Sequence, residues 1–104
     1  MRLSIYCAFA VLMFLPAAWA DTPPRPAKIG LCAACHGEDG RASAPDIPNL
    51  AGQNLPYLRS AIAQYKSGKR DFPAMRSALG MLTAAEIDAI ARWYATQLPQ
   101  PATP

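Results

Sequence analysis

Residues that could bind a metal or form a disulfide are scarce in this 104-residue chain. It has one histidine and three cysteines, and one of the cysteines, Cys7, lies in the apolar N-terminal run. A structural zinc site needs four Cys or His ligands, usually as two separated pairs. The rest of the chain offers three such residues in one cluster and no second pair, which argues against a structural zinc site.

Strand-forming segments are scarce as well. No run rich in Val, Ile or Thr flanks the remaining cysteines, and no strand pair or internal repeat is visible. A thioredoxin-like redox pair lies in a βαβ unit, so the absence of strand-forming segments argues against a thioredoxin-like redox function for Cys32 and Cys35. A structural disulfide between Cys32 and Cys35 would close too short a loop to stabilise the chain much, and it would leave His36 unexplained.

The cluster itself reads Cys-Ala-Ala-Cys-His over residues 32–36, which is the attachment signature of c-type haem. On a helical turn, positions i, i+3 and i+4 share one face, so Cys32, Cys35 and His36 can all address one flat macrocycle. We therefore predict that the two thiols form thioethers with the haem vinyl groups and that the imidazole ligates the iron.

Residues 1–20 have the pattern of a secretory signal peptide. Arg2 precedes an apolar run, and the small-residue site Ala18-Trp19-Ala20 follows it. We predict cleavage after Ala20, a periplasmic location and no stable membrane span in the mature protein. The alternative is an uncleaved membrane anchor, because the 18 residues from Leu3 to Ala20 approach the lower limit for crossing a bilayer.

Residues 21–104 have room for one small domain. They carry nine Lys and Arg residues against seven Asp and Glu residues, and we expect no nucleic-acid partner. A domain of this size buries a modest core and often needs a disulfide, a metal or a cofactor to stabilise it. A covalently held haem would supply that stabilisation.

The hydrophobic spacing predicts an all-α fold, with three or more short helices and long loops around the prosthetic group. The predicted helices are Ala27 to Ala34, Leu55 to Ser67, and a final helix from the Thr83–Glu86 capping box to about Gln97. Residues 37–54 and 69–82 are predicted loops, the second with a helical turn near Arg76 to Leu79. Gly30 indicates either a close approach by backbone or haem, or a merely tolerated glycine.

The core-facing positions of the final helix follow from its spacing. Leu82 and Ile87 are expected to form a hydrophobic staple at its start. Ile87, Ile90, Tyr94 and Leu98 are expected to face inward.

The order of motifs resembles that of the small bacterial class I cytochromes c, over about Pro26 to Gln97. The motifs are CAACHG, then PNLAGQ, then a helix running into SGKR, a loop methionine, and a final helix beginning LTAAEI. The resemblance implies the class I cytochrome c fold, one covalently bound haem c, and electron transfer rather than catalysis.

The resemblance also implies further haem contacts. Pro48, twelve residues after His36, occupies the place of the proline whose carbonyl accepts the Nδ1 proton of the ligating imidazole, which fixes the ring. Met75 is the expected sixth ligand, and a His/Met pair raises the reduction potential. The competitor is Met81, which precedes Leu82 and Thr83, where a core-filling methionine is expected.

Haem-propionate partners are left open by the sequence. Three polar residues are candidates, and four aromatic residues are more typical of core positions. The candidates are Gln53, Arg59 and Arg70, and the aromatic residues are Tyr57, Tyr65, Trp93 and Tyr94.

The predicted function is that of a periplasmic one-electron carrier whose partners are redox proteins: a reductase, an oxidase or a dehydrogenase. One alternative is a haem-bearing subunit of a periplasmic oxidoreductase complex. Another is a ligand-binding or peroxidatic haem protein with a labile sixth ligand. A basic cluster around the expected methionine ligand could steer an acidic partner, although it could equally be a solvated turn. Its members are Lys66, Lys69, Arg70 and Arg76.

Overall fold

The computed structural model describes Met13 and residues 22–99, and these contain four helices and no strand. The helices are α1 (Gly30–His36), α2 (Leu55–Ser67), α3 (Pro73–Gly80) and α4 (Ala84–Thr96). This architecture agrees with the predicted all-α fold. The predicted signal peptide, and the alternative anchor from Leu3 to Ala20, lie outside the described residues except for Met13.

Helix α2 has the bounds that its sequence predicts. The Asn54 side chain accepts a hydrogen bond from the Tyr57 amide at 3.2 Å and caps the first turn, where Pro56 needs no amide partner. Gly68 ends the helix with a φ of 83°, a left-handed conformation that glycine adopts without a Cβ penalty.

Helix α4 begins with the predicted capping box. The Thr83 hydroxyl accepts from the Glu86 amide, and the Glu86 carboxylate accepts from the Thr83 amide, each at 3.1 Å. Ile90 and Tyr94 are buried, as expected; Leu82 belongs to the hydrophobic core, and Ile87 is partly buried and packs against that core. The expectation for Leu98 is wrong: it lies beyond the end of α4 and is 77% exposed.

Helix α3 corrects the predicted loop over residues 69–82. Pro73 occupies the first turn of α3, where a missing amide and a fixed φ are compatible with a helix. Met75 therefore lies in the first turn of a helix and not on a loop. The predicted turn from Arg76 to Leu79 lies toward the C-terminal end of this helix.

Helix α1 is displaced toward the C-terminus relative to its prediction. Residues 27–29 form a turn, and the helix continues through His36. The Ile29 side chain is fully buried against α4 residues in the core, and Lys28 forms an ion pair with Glu86 at 2.9 Å. The turn that leads into α1 is thereby fixed to α4. Apart from its chain neighbours and its own helix, no described atom would lie within 4 Å of a Cβ on Gly30, so no other backbone within residues 22–99 approaches it closely.

Helix α2 packs against both α3 and α4. On the outer side of the α2–α4 contact, Arg59 of α2 and Arg92 of α4 each donate to the Asp88 carboxylate at 2.8 Å. Hydrogen bonds from Arg59 and then Arg92 lower the pKa of Asp88 to about 2. Within residues 22–99, no helix is long and apolar enough to cross a membrane.

The loop over residues 37–54 is ordered by its own backbone and by α4. Gly40, with a φ of 82°, accepts hydrogen bonds from the Leu50 and Ala51 amides at 2.7 and 3.1 Å. A Cβ at Gly40 would lie 2.5 Å from the Ala51 nitrogen, so only glycine fits this crossing. The Gly52 amide donates to the carbonyl of Tyr94 at 3.0 Å.

Candidate haem-binding site

A cavity of about 540 Å³ lies between the loop over residues 37–54 and the four helices. Its volume is within the roughly 300–1,000 Å³ that is typical of cofactor sites. Aliphatic and aromatic side chains from α2, α3 and α4 form most of the wall, and both cysteines and the histidine of the CAACH segment border it. All five residues predicted for the site are among the lining residues: Cys32, Cys35, His36, Pro48 and Met75.

His36, the last residue of α1, is 8% exposed. Its Nδ1 lies 2.9 Å from the carbonyl oxygen of Pro48. A carbonyl can only accept, so Nδ1 carries the proton, and the neutral ring then keeps its lone pair on Nε2. The contact holds the imidazole in the tautomer and orientation that an iron ligand requires.

Cys32 and Cys35 are one helical turn apart on α1, and both border the cavity. They are free thiols, Cys32 half-buried and Cys35 exposed, and no disulfide joins them. Burial raises the pKa of the Cys32 thiol. The structure therefore does not support the disulfide interpretation of this pair.

The two candidate methionines have different surroundings. Met75, in the first turn of α3, is half-buried at the cavity wall. Met81 follows α3, is 65% exposed and is not part of that wall. The expectation that Met81 fills the core is wrong, because Leu82 is the buried residue at this corner.

The three polar candidates for haem-propionate partners lie in different places. Gln53 and Arg70 border the cavity, whereas Arg59 points away and pairs with Asp88 on the outer surface. Two further polar residues of the loop, Asp46 and Asn49, line the cavity and were not singled out from the sequence. Nothing in their local pattern distinguishes them from other loop residues.

Two aromatic residues of α4 fix the segment that follows His36. The Tyr94 hydroxyl donates to the Gly37 carbonyl at 2.9 Å, and the Trp93 indole nitrogen donates to the Glu38 carbonyl at 2.7 Å. Burial raises the pKa of Tyr94, so its hydroxyl stays protonated and able to donate. The sequence indicated these residues as core, but not their hydrogen bonds to the segment that follows His36.

The lining residues fit a haem in their chemistry. Thiols and an oriented imidazole from α1 and a thioether from α3 are the donor types of a covalently attached, His/Met-ligated haem. The mostly apolar wall suits a porphyrin ring, and the few polar residues suit its carboxylates.

Comparison with known proteins identifies the family. Residues 27–93 match the family model described as cytochrome c oxidase, cbb3-type, subunit III. Cytochrome c-554(548) of Halomonas halodenitrificans is 42% identical over 73 residues, which cover 67% of this chain and 88% of the relative. Cytochrome c4 of Pseudomonas aeruginosa is 39% identical over 77 residues, or 74% of this chain and 38% of the relative.

A third relative is named for its role. The thiosulfate dehydrogenase electron acceptor of Thiomonas intermedia is 34% identical over 91 residues, covering 86% of this chain and 41% of the relative. The matched region thus spans most of the Halomonas cytochrome but only about two fifths of the other two proteins. The chain belongs to this cytochrome c family and is an electron-transfer protein with covalently bound haem c.

Proposed function

We propose that this protein is a periplasmic one-electron carrier with a His/Met-ligated haem c. The observation that carries the proposal is the 2.9 Å contact between His36 Nδ1 and the Pro48 carbonyl at the wall of the cavity. It orients a buried imidazole as a ligand, next to two cysteines spaced for thioether attachment. The haem supplies the change between ferrous and ferric iron, and the chain supplies attachment, ligands, burial and a docking surface.

In this proposal Cys32 and Cys35 form the thioethers, and His36 and Met75 are the axial ligands. The Pro48 carbonyl fixes the imidazole and increases its basicity. Tyr94 and Trp93 help by holding the backbone directly after His36, so the ligand cannot rotate freely with the loop. Met75 is supported by its position at the cavity wall in the first turn of α3, which itself is packed against α2.

Residues 1–20 are proposed to direct export, after which residues 21–104 form the cytochrome domain. The support is the basic residue, apolar run and Ala-x-Ala pattern of the N-terminus. Two cysteines that are consumed by haem also suit an oxidising compartment, because neither is left for unwanted disulfides.

A second candidate is a haem-bearing partner or subunit of a dehydrogenase complex. The name of the Thiomonas relative, a thiosulfate dehydrogenase electron acceptor, favours it. Isolation of the protein with its native partners under mild conditions, followed by a redox titration, distinguishes the two. A free carrier elutes alone and exchanges electrons on collision, whereas a subunit copurifies in fixed proportion with a larger protein.

A ligand-binding or peroxidatic haem protein is the outcome that would overturn both candidates. The ferrous protein would then bind CO at neutral pH without denaturant. A carrier that keeps both axial ligands would not.

A further inference from the structure

Arg70 differs from the other arginines of residues 22–99 in its partners. Each of the others has a carboxylate oxygen within 3.9 Å, whereas Arg70 makes no such ion pair with any described residue. The paired arginines are Arg25, Arg41, Arg59, Arg76 and Arg92.

Arg70 is nevertheless held in one position. Its Nε donates to the Gln64 side-chain oxygen at 2.9 Å, and its backbone amide donates to the Gln64 carbonyl at 3.0 Å. Its guanidinium carbon lies 5.5 Å from the ring centre of Tyr65 and 5.8 Å from that of Tyr57, within the range of cation–π contacts. The entropy of ordering this side chain is therefore lost on folding and not on binding a ligand.

The ordered guanidinium borders the cavity. Arg70, Tyr57 and Tyr65 all line it, and within residues 22–99 the one acidic residue that lines it is Asp46. No ion pair joins Asp46 to Arg70. Gln64 takes one of the five guanidinium N–H groups, and the four on the terminal nitrogens form the planar fork that matches a carboxylate.

We propose that Arg70 binds a propionate carboxylate of the haem, with Gln64, Tyr57 and Tyr65 as the residues that position its guanidinium. The inference rests on the proposed function, since the carboxylate belongs to the haem. A charge-assisted guanidinium–carboxylate pair is stronger than a neutral hydrogen bond, and Arg70 is the one arginine among the described residues that line this cavity.

An acidic side chain of a redox partner could supply the same carboxylate chemistry. The structure favours the haem, because Arg70 is part of the cavity wall and is clamped there by its neighbours. By contrast Lys66 and Lys69, in the same segment, are exposed.

The test compares Arg70→Gln with Arg92→Gln in the isolated holoprotein. Arg92 is a matched control because it loses the same charge from an exposed helix position outside the cavity wall. The midpoint potential should fall in Arg70→Gln, since removing a nearby cation favours ferric iron, and should stay unchanged in Arg92→Gln. Redox-difference infrared spectra with ¹³C-labelled propionates should show a displaced carboxylate band only in Arg70→Gln.

Arg70→Lys keeps the charge and removes the fork, so it should displace the carboxylate band with a smaller fall in potential. If Arg70→Gln does not accumulate as holoprotein, Arg70→Lys takes its place in the comparison with Arg92→Gln. Equal potentials and equal carboxylate bands in the Arg70 and Arg92 variants would overturn the proposal.

A loss confined to the salt-dependent electron-transfer rate with a partner would also overturn it, by assigning the carboxylate to that partner. An intact Met–haem absorption band in these variants would show that the proposed function still stands. Absence of haem from the wild-type protein would instead remove the proposed function itself.

Discussion

Replacing each of the two candidate methionines with alanine tests the sixth ligand. Met75→Ala should abolish the weak red-end absorption band of ferric Met–haem ligation, lower the reduction potential and allow ferrous iron to bind CO. Met81→Ala should leave all three properties unchanged. The reason is position, because Met75 lies at the cavity wall and Met81 does not.

The structure also sets the stability cost of each change. Met81 is 65% exposed, and full burial of a methionine is worth about 1.5–3 kcal/mol, so Met81→Ala should lower the free energy of unfolding by less than about 1 kcal/mol. Met75 is half-buried, and its removal should cost about 1–3 kcal/mol in packing before the lost iron bond is counted. The expected loss of unfolding free energy in Met81→Ala is therefore smaller than it would be if Met81 were in the core.

Absorption spectra, redox titration and denaturant unfolding of the two holoproteins give all the required values. If Met81→Ala lost the band while Met75→Ala kept it, the assignment would pass to Met81. An unchanged band in both variants would remove methionine ligation from the account.

Three further predictions concern the scaffold and the surface. Gly40→Ala should lower the free energy of unfolding by about 2–5 kcal/mol, because Gly40 has a positive φ and a Cβ there would lie 2.5 Å from the Ala51 nitrogen. In the same denaturant titration Gly80→Ala should raise it by up to about 1 kcal/mol, because a Cβ on Gly80 would point into open space. Equal changes in the two variants would contradict the loop geometry. The pKa of Asp88 is lowered from 3.8 to about 2, so its ion pairs stabilise the fold above pH 4 and lose this effect as the pH falls through 2. Asp88→Asn should therefore be less stable than the wild type at neutral pH, and a difference as large at pH 2 as at pH 7 would refute this. A double variant with Gln in place of both Lys66 and Lys69 should transfer electrons to an acidic partner more slowly at low ionic strength and at about the wild-type rate at high salt. A wild-type rate that does not depend on salt would mean that the basic cluster is only a solvated turn.

The elements with local start and stop signals were predictable from the sequence. Asn54, Pro56 and Gly68 delimit α2, and Thr83 with Glu86 starts α4, because each of these residues acts on backbone groups within one turn. Helix α3 was missed because a proline can either break a helix or begin one, and only the packing against α2 decides between them.

The site was predictable where the chemistry is local and not where it depends on distant contacts. Spacing alone singled out Cys32, Cys35 and His36 as candidates, whereas the contact between His36 and Pro48 was expected only from the family resemblance. The hydrogen bonds from Trp93 and Tyr94 join residues 55 and 57 positions apart, and no sequence pattern encodes them. The exposure of Met81 depends on the turn from α3 into α4, which was itself not predicted.

Covalent attachment of haem is tested by mass spectrometry of the denatured protein, produced in cells that mature c-type cytochromes. We expect a polypeptide that retains the mass of one haem, with the attachment mapped to a peptide containing Cys32 and Cys35. Acidified organic solvent should not extract the colour. An unmodified polypeptide mass, with the haem passing into the solvent, would show that the haem is not covalently bound.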